Sequence, residues 1–322
     1  MSEDLCALRR LTMEHYRIEV QQIALLDAHF GTEIYVLQAV DGGKYILKQL
    51  PVQWGNMESE GRISEFLSAC GIPVPKLLRT RGGAYSVTNG ETHFHVRPFI
   101  EGETPELNSA PDWLLRKSAQ MLGRIHSALK DWEPLHSRFP RDEDVRDKMG
   151  ALWHQLHSET DPADKSTRGE IKEQLMHGVK ILEVPTEEDG LTLGNVHGDY
   201  YIGQLIVDGE DVAVIDWASA CAMPTCVEVI LSYAFAAPSC KAGRIDAEGL
   251  REYIRQYAEF AALNPRDVAM MPHLLYRQLY LTNYAPPFAD VPEGYRPISG
   301  LINRLLNWLH DHADALSADL LG

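Results

Sequence analysis

Strand-like apolar runs dominate the chain up to about residue 100, and apolar positions at helical spacing take over beyond it. Ile34 to Val40 and Lys44 to Leu50 are two such runs, joined by Asp41-Gly42-Gly43 as a hairpin turn. Ala84 to Thr88 and Thr92 to Ile100 form a second pair around Asn89-Gly90. Between the pairs, Ile63, Phe66 and Leu67 predict a helix over Met57 to Cys70, with Gly71 as its stop before Pro73. Beyond Gly102 the spacing of Leu114, Leu115, Met121, Leu122, Ile125 and Leu129 predicts a helix over Trp113 to Trp132. Further helices are expected near 144–158, 168–182, 227–236, 247–262, 270–284 and 298–316. The pattern predicts an α+β chain with a β-rich lobe over 1–100 and a mostly helical lobe over 101–322.

Asn195 to Ala220 stands apart within the helical half. Leu205-Ile206-Val207 and Val212-Ala213-Val214-Ile215 flank the acidic, glycine-containing segment Asp208 to Asp211, which reads as a tight hairpin. Pairing of the two runs returns His197-Gly198-Asp199 and Asp216-Trp217 to one edge, at the start of the second lobe's chemistry. Ordinary loop acids explain any one of these residues equally well, so the motif needs partners elsewhere in the chain.

Composition narrows the classes. With 322 residues, 45% hydrophobic and 24% charged, the chain can bury a large core, and disorder is excluded. No apolar run approaches the length of a membrane span and Met1 to Asp4 does not open a signal peptide, so a cytoplasmic protein without a membrane partner is expected. Acids outnumber bases by 46 to 30, a formal charge of −16. That balance argues against a nucleic-acid partner. Cys6, Cys70, Cys221, Cys226 and Cys240 form no CxxC pair and read as reduced thiols.

The first lobe offers the acidic hairpin a lysine: Lys48 ends an apolar strand, and Glu60 lies on the next helix, so the two can pair. In order, YILK, SEGRISEFL, GIPVPKLL, VRPFIEGE, MLGRIHSAL, HGDYYIGQLIV and VIDW resemble the aminoglycoside phosphotransferase and choline kinase family over about residues 20 to 236. The resemblance implies a protein-kinase-like two-lobed fold and transfer of a γ-phosphoryl group from ATP or GTP, with Mg²⁺, to a hydroxyl of a small molecule. It implies Asp199 as catalytic base, with His197 bracing its loop, and Asp216 with Gln204 as metal ligands. Lys48 then contacts the nucleotide phosphates with Glu60 orienting it, Gly31 lies in the covering loop 27–33, and the connector Arg97, Phe99, Ile100 and Glu101 presents backbone groups to adenine.

The sequence departs from that pattern at two points. Gln204 stands where the family has Asn, keeping an amide oxygen one methylene further out, and marks a branch with Gln in the catalytic loop. The covering loop carries one glycine, Gly31. Gln204 keeps open a second reading, a nucleotide-binding pseudokinase with a regulatory or structural role. His126 is expected to be a hydrogen-bonded structural histidine, and Glu228 either a surface carboxylate or a brace for the active site. His93 and His95 share a strand face without a third metal ligand nearby. Tyr253, Tyr257, Tyr276, Tyr280 and Tyr284, interspersed with Glu252 and Glu259, line an acceptor cleft or fill the core.

Overall fold

The computed structural model describes residues 3–29, 31–52, 57–158, 164–184, 186–288 and 291–322. The chain packs as two units, Met1–Thr104 with Gln204–Ala220, and Pro105–Gly203 with Cys221–Gly322.

The first unit opens with helix α1 (Glu3–Tyr16) and strands β1 (Val20–His29), β2 (Thr32–Ala39) and β3 (Lys44–Pro51). Helix α2 (Met57–Ala69) and strands β4 (Ser86–Asn89) and β5 (Thr92–Pro98) follow. The strands make one antiparallel sheet in the order β1-β2-β3-β5-β4. Asp41-Gly42-Gly43 turns β2 into β3 because Gly42 takes φ +90°, where side chains are strained, and Asp41 Oδ1 accepts from the Gly43 amide at 2.9 Å. Alternate residues Tyr35, Leu37, Leu47, Phe94 and Val96 fill the core on one face, which Leu8 of α1 helps to close. Gly71, at φ +73°, ends α2, and Leu67 accepts from the Ile72 amide at 3.0 Å.

In the second unit α3 (Asp112–Leu129), α4 (Asp142–Leu156) and α5 (Lys165–Leu182) precede the short strand β6 (Leu193–Val196). The acidic hairpin then forms as read, with β7 (Leu205–Asp208) paired to β8 (Asp211–Val214). It packs with the first unit and not, as expected, with the helical half. Val207 and Glu103 exchange backbone hydrogen bonds at 2.9 Å, and Val214 donates to Pro73 O at 2.9 Å. Strand β9 (Cys221–Pro224) returns to pair with β6, followed by α6 (Thr225–Ala236), α7 (Ala247–Tyr257), α8 (Pro265–Leu281) and α9 (Arg296–Leu321). Helix α6 is buried on nearly every side, as a helix apolar all round should be. All five cysteines are free thiols. Among the described residues no helix is long and apolar enough to cross a membrane.

Candidate active site

Antiparallel register sets Lys48 opposite His95 and Ile46 opposite Arg97. Residues two apart on a strand share a face, so these four leave the sheet on the side away from the Leu47–Val96 core. Glu60, in the first turn of α2, reaches the same side, its Oε2 lying 3.9 Å from His95 Nε2. Asp216 joins them from the hairpin: Lys48 Nζ donates to Asp216 Oδ1 at 2.5 Å, across 168 residues of sequence. Asp216 holds φ +65°, a left-handed conformation that costs a residue with a side chain on the order of 1 kcal/mol and persists where its surroundings enforce it.

Charge and burial oppose one another here. Burial alone lowers the Lys48 pKa, but Asp216 and then Glu60 outweigh it and hold the ammonium above its ordinary value. Burial raises the Glu60 carboxyl to about 7 against the pull of Lys48. Burial, reinforced by Lys48, pushes His95 down to about 3, so its ring is neutral. Glu60 and His95 are 4% and 2% exposed. Glu60 Oε2 and both ring nitrogens of His95 lack hydrogen-bond partners among the described residues. The expected Lys48–Glu60 pairing is therefore replaced: the ion pair of Lys48 goes to Asp216, and Glu60 acts on Lys48 through its charge.

The sign of the Glu60 effect is fixed by the direction of its shift. A carboxyl raised from 4.5 to about 7 on folding contributes stability that is complete below the unfolded value and lost as pH rises through the folded one. Glu60→Gln removes that loss. Urea unfolding should show the variant gaining about 1–3 kcal/mol on wild type between about pH 5 and about pH 8. A difference that does not change with pH contradicts this electrostatic account.

The remaining nucleotide-site candidates scatter along the same unit. Gly31, at φ +77°, turns β1 into β2, and a Cβ there would meet Pro51 Cγ at 3.1 Å. The segment read as a covering loop is a tight hairpin, with Asp27, Ala28 and His29 paired to Ile34, Glu33 and Thr32; residue 30 lies outside the described residues. Arg97 belongs to β5, and its Nη1 donates to Pro98 O at 3.2 Å. Burial lowers its pKa, opposed by the charges of Glu60 and Asp216. The Phe99 amide donates to Lys44 O at 3.0 Å, and Lys44 Nζ sits 3.5 Å over the Phe99 ring and 3.3 Å from Glu101 Oε1. No backbone hydrogen bond within the described residues occupies the peptide groups of Ile100 and Glu101. Gln204 O accepts from the Ile215 amide at 3.0 Å, which continues the β7–β8 ladder and brings Gln204 and Asp216 to the open end of one hairpin.

In the second unit the loop after β6 carries Asp199. Gly198 takes φ +82°, and the Asp199 amide donates to His197 Nδ1 at 3.3 Å, so the buried His197 braces the turn. Glu228 of α6 supplies the larger support. Its Oε1 accepts from the Gly198 amide at 2.6 Å and the Tyr200 amide at 3.4 Å, and its Oε2 from the His197 amide at 3.2 Å. His126 Nε2 lies 2.9 Å from Oε2, and its Nδ1 is 2.9 Å from Tyr257 Oη. Burial alone would raise the Glu228 pKa; the His126 bond and charge, with His197 and the Gly198 amide, carry it below the ordinary range. Glu228 thus braces the loop, and His126 is the hydrogen-bonded histidine the sequence suggests.

A cavity of about 90 Å³ opens beside Asp199, lined in part by Tyr201, Phe235, Gln278, Tyr284 and Tyr295. Tyr284 and Tyr295 stack with centroids 5.2 Å apart. Of the tyrosines read as cleft or core, Tyr284 alone lines this cavity. Tyr253 bonds Ser232 and Ser118, Tyr276 bonds His177, and Tyr280 is fully buried. Tyr295 was missed; a lone tyrosine in a Pro-Gly-rich segment gives no periodic signal.

Among the described residues no group of three His, Cys, Asp or Glu side chains could hold a metal by itself. His93 instead bonds Thr88 Oγ1 at 2.8 Å, while His95 faces Glu60. The donor set at the end of the hairpin, one carboxylate and one amide side chain, is oxygen-rich and anionic. It fits Mg²⁺, which takes one or two protein ligands and completes its shell with water and substrate phosphates.

The model of a phosphotransferase enzyme family (APH) matches residues 25–263 of the chain. No curated protein matches it. Among solved structures, spectinomycin phosphotransferase APH(9)-Ia in complex with ADP and spectinomycin is similar at 13% identity, with 97% of this chain and 98% of that chain covered and a TM-score of 0.68. The microcompartment-associated aminopropanol kinase is similar at 15% identity, 99% of each chain and a TM-score of 0.65. An amicoumacin kinase in complex with AMP-PNP and Ca²⁺ is similar at 15% identity, 98% and 94% coverage and a TM-score of 0.64. At these identities the likeness is one of fold, and it is the protein-kinase-like fold expected from the sequence.

Proposed function

The chain belongs to the phosphotransferase enzyme family, and from that premise we propose that it moves the γ-phosphoryl group of ATP or GTP to a hydroxyl of a compact small molecule. The observation that carries this reading is the Lys48–Asp216 pair, a largely buried cation joined to a carboxylate at the end of the acidic hairpin. Lys48, its charge held by Asp216 and Glu60, offsets phosphate charge, and the open peptide groups of Ile100 and Glu101 receive the base. Asp216 and Gln204 would hold Mg²⁺, which when bound neutralises charge on the phosphates. Asp199, on its braced loop, orients the acceptor hydroxyl and takes its proton as the acceptor oxygen bonds to the γ-phosphorus and the nucleoside diphosphate leaves. The small aromatic cavity beside Asp199 suits an acceptor of a few heavy atoms better than a bulky polycation.

Calorimetry with Mg-nucleotide tests the donor half. Lys48→Ala and Asp216→Asn should each weaken binding by roughly 10-fold or more, since one removes the phosphate cation and the other the anionic metal ligand. Gln204→Ala should raise the magnesium requirement, and Gln204→Asn should retain part of the activity. Unchanged affinity in both Lys48→Ala and Asp216→Asn would remove the basis for the reading.

A further inference from the structure

Resting on the nucleotide reading above, we propose that Arg97 makes this enzyme a guanine-nucleotide user, GTP being its preferred donor. Four observations on the first unit lead there. Lys48 and Asp216 mark the phosphate end of the sheet face that lies away from the Leu47–Val96 core. The connector that follows β5 marks the other end, where the peptide groups of Ile100 and Glu101 are unoccupied among the described residues. The Ile46–Arg97 rung lies between them, two residues from the Lys48–His95 rung and so about 6.6 Å along the strand toward the connector. Arg97 projects from the face that Lys48 uses, which would set its guanidinium beside a purine bound at the connector.

The guanidinium is also committed in orientation. Its Nη1 donates to Pro98 O at 3.2 Å, next to the connector, and this is the one hydrogen bond it makes among the described residues. No ion pair with Glu60 or Asp216 closes the fork, although both charges act on it. The half-buried fork is therefore left with donors and no acceptor. Guanine answers that pattern with two adjacent acceptors, O6 and N7, which arginine binds bidentately. Adenine offers N7 alone and turns its amino donor toward donors. The mismatch leaves a partly desolvated cation without a partner, which penalises the wrong base more than the match rewards the right one.

The test is calorimetric titration of the intact protein with Mg-GDP and Mg-ADP, on wild type, Arg97→Lys and Arg97→Met. Wild type should bind Mg-GDP on the order of 10-fold or more tighter than Mg-ADP. Arg97→Lys keeps the charge near Glu60 and loses the fork, so it should bring the two affinities within about 3-fold by weakening Mg-GDP alone. Arg97→Met, if it melts as wild type does, should do the same. Equal affinities or a preference for Mg-ADP in wild type overturns the inference while leaving the phosphotransferase reading intact. Equal weakening of both nucleotides in Arg97→Lys also overturns it, because Arg97 would then be a phosphate or electrostatic contact. Failure of both nucleotides to bind wild type rejects the nucleotide-site reading, and this inference with it.

Discussion

Asp199→Asn should lower turnover by on the order of 10²- to 10⁴-fold while nucleotide affinity stays within about 2-fold of wild type. The substitution keeps the shape of the side chain and removes its ability to accept a proton, so it separates chemistry from binding. Glu228 and His197 hold the turn at Gly198 through backbone amides that the substitution leaves in place. Single-turnover and steady-state rates with a verified acceptor, beside calorimetry, give both quantities. Equal turnover in the two proteins would strip Asp199 of its catalytic role.

Glu228→Leu should be the most destabilising single change, at about 3–5 kcal/mol. The carboxylate is 3% exposed and gathers three backbone amides and His126. Leucine fills much of the space and leaves those donors without an acceptor. Since folding depresses the Glu228 pKa, the stability it contributes is present above the ordinary value of 4.5 and is lost as pH falls below it. The gap between wild type and Glu228→Leu in urea unfolding should accordingly narrow at low pH. A gap below about 1 kcal/mol at neutral pH would show that other contacts hold the loop.

Much of this architecture is legible in the sequence where local chemistry and tertiary structure agree. Asp41-Gly42-Gly43 and the acidic hairpin turn are strong enough to set strand pairing by themselves, and Gly71 ends α2 where its backbone demands a residue without a side chain. The β1 strand escaped notice because Leu25 and Leu26 are consecutive, 57% and 61% exposed, and interrupted by a register shift before Asp27. Helix α1 escaped for a related reason: Arg9 and Arg10 break up its apolar stripe, although Arg9 bonds Gln21 O at 2.8 Å.

The site was legible in its residues more than in its contacts. Lys48 and Asp216 meet where β3 and the hairpin come together, whereas order along the chain suggested Glu60 as the partner of Lys48. Which partner Lys48 takes depends on where α2 and the hairpin bring their carboxylates, which no local pattern encodes. Arg97 shows the same limit. Its use as a side chain follows from the Lys48–His95 register, and that register is set by the whole excursion through α2 and β4. Glu228 carried a readable signal, a single acid in the helix Thr225–Ala236 that is otherwise apolar all round. A carboxylate there must be either paired or misplaced.

The central claim is that the chain transfers a phosphoryl group to a small hydroxyl compound, and acceptor-dependent release of nucleoside diphosphate tests it most directly. Purified protein with Mg-ATP or Mg-GTP should release diphosphate above its acceptor-free background with at least one member of a panel of amino alcohols, small sugars and aminoglycosides. That excess should vanish in Asp199→Asn. Release that no acceptor raises above background, from protein that binds the nucleotide tightly, would contradict the account.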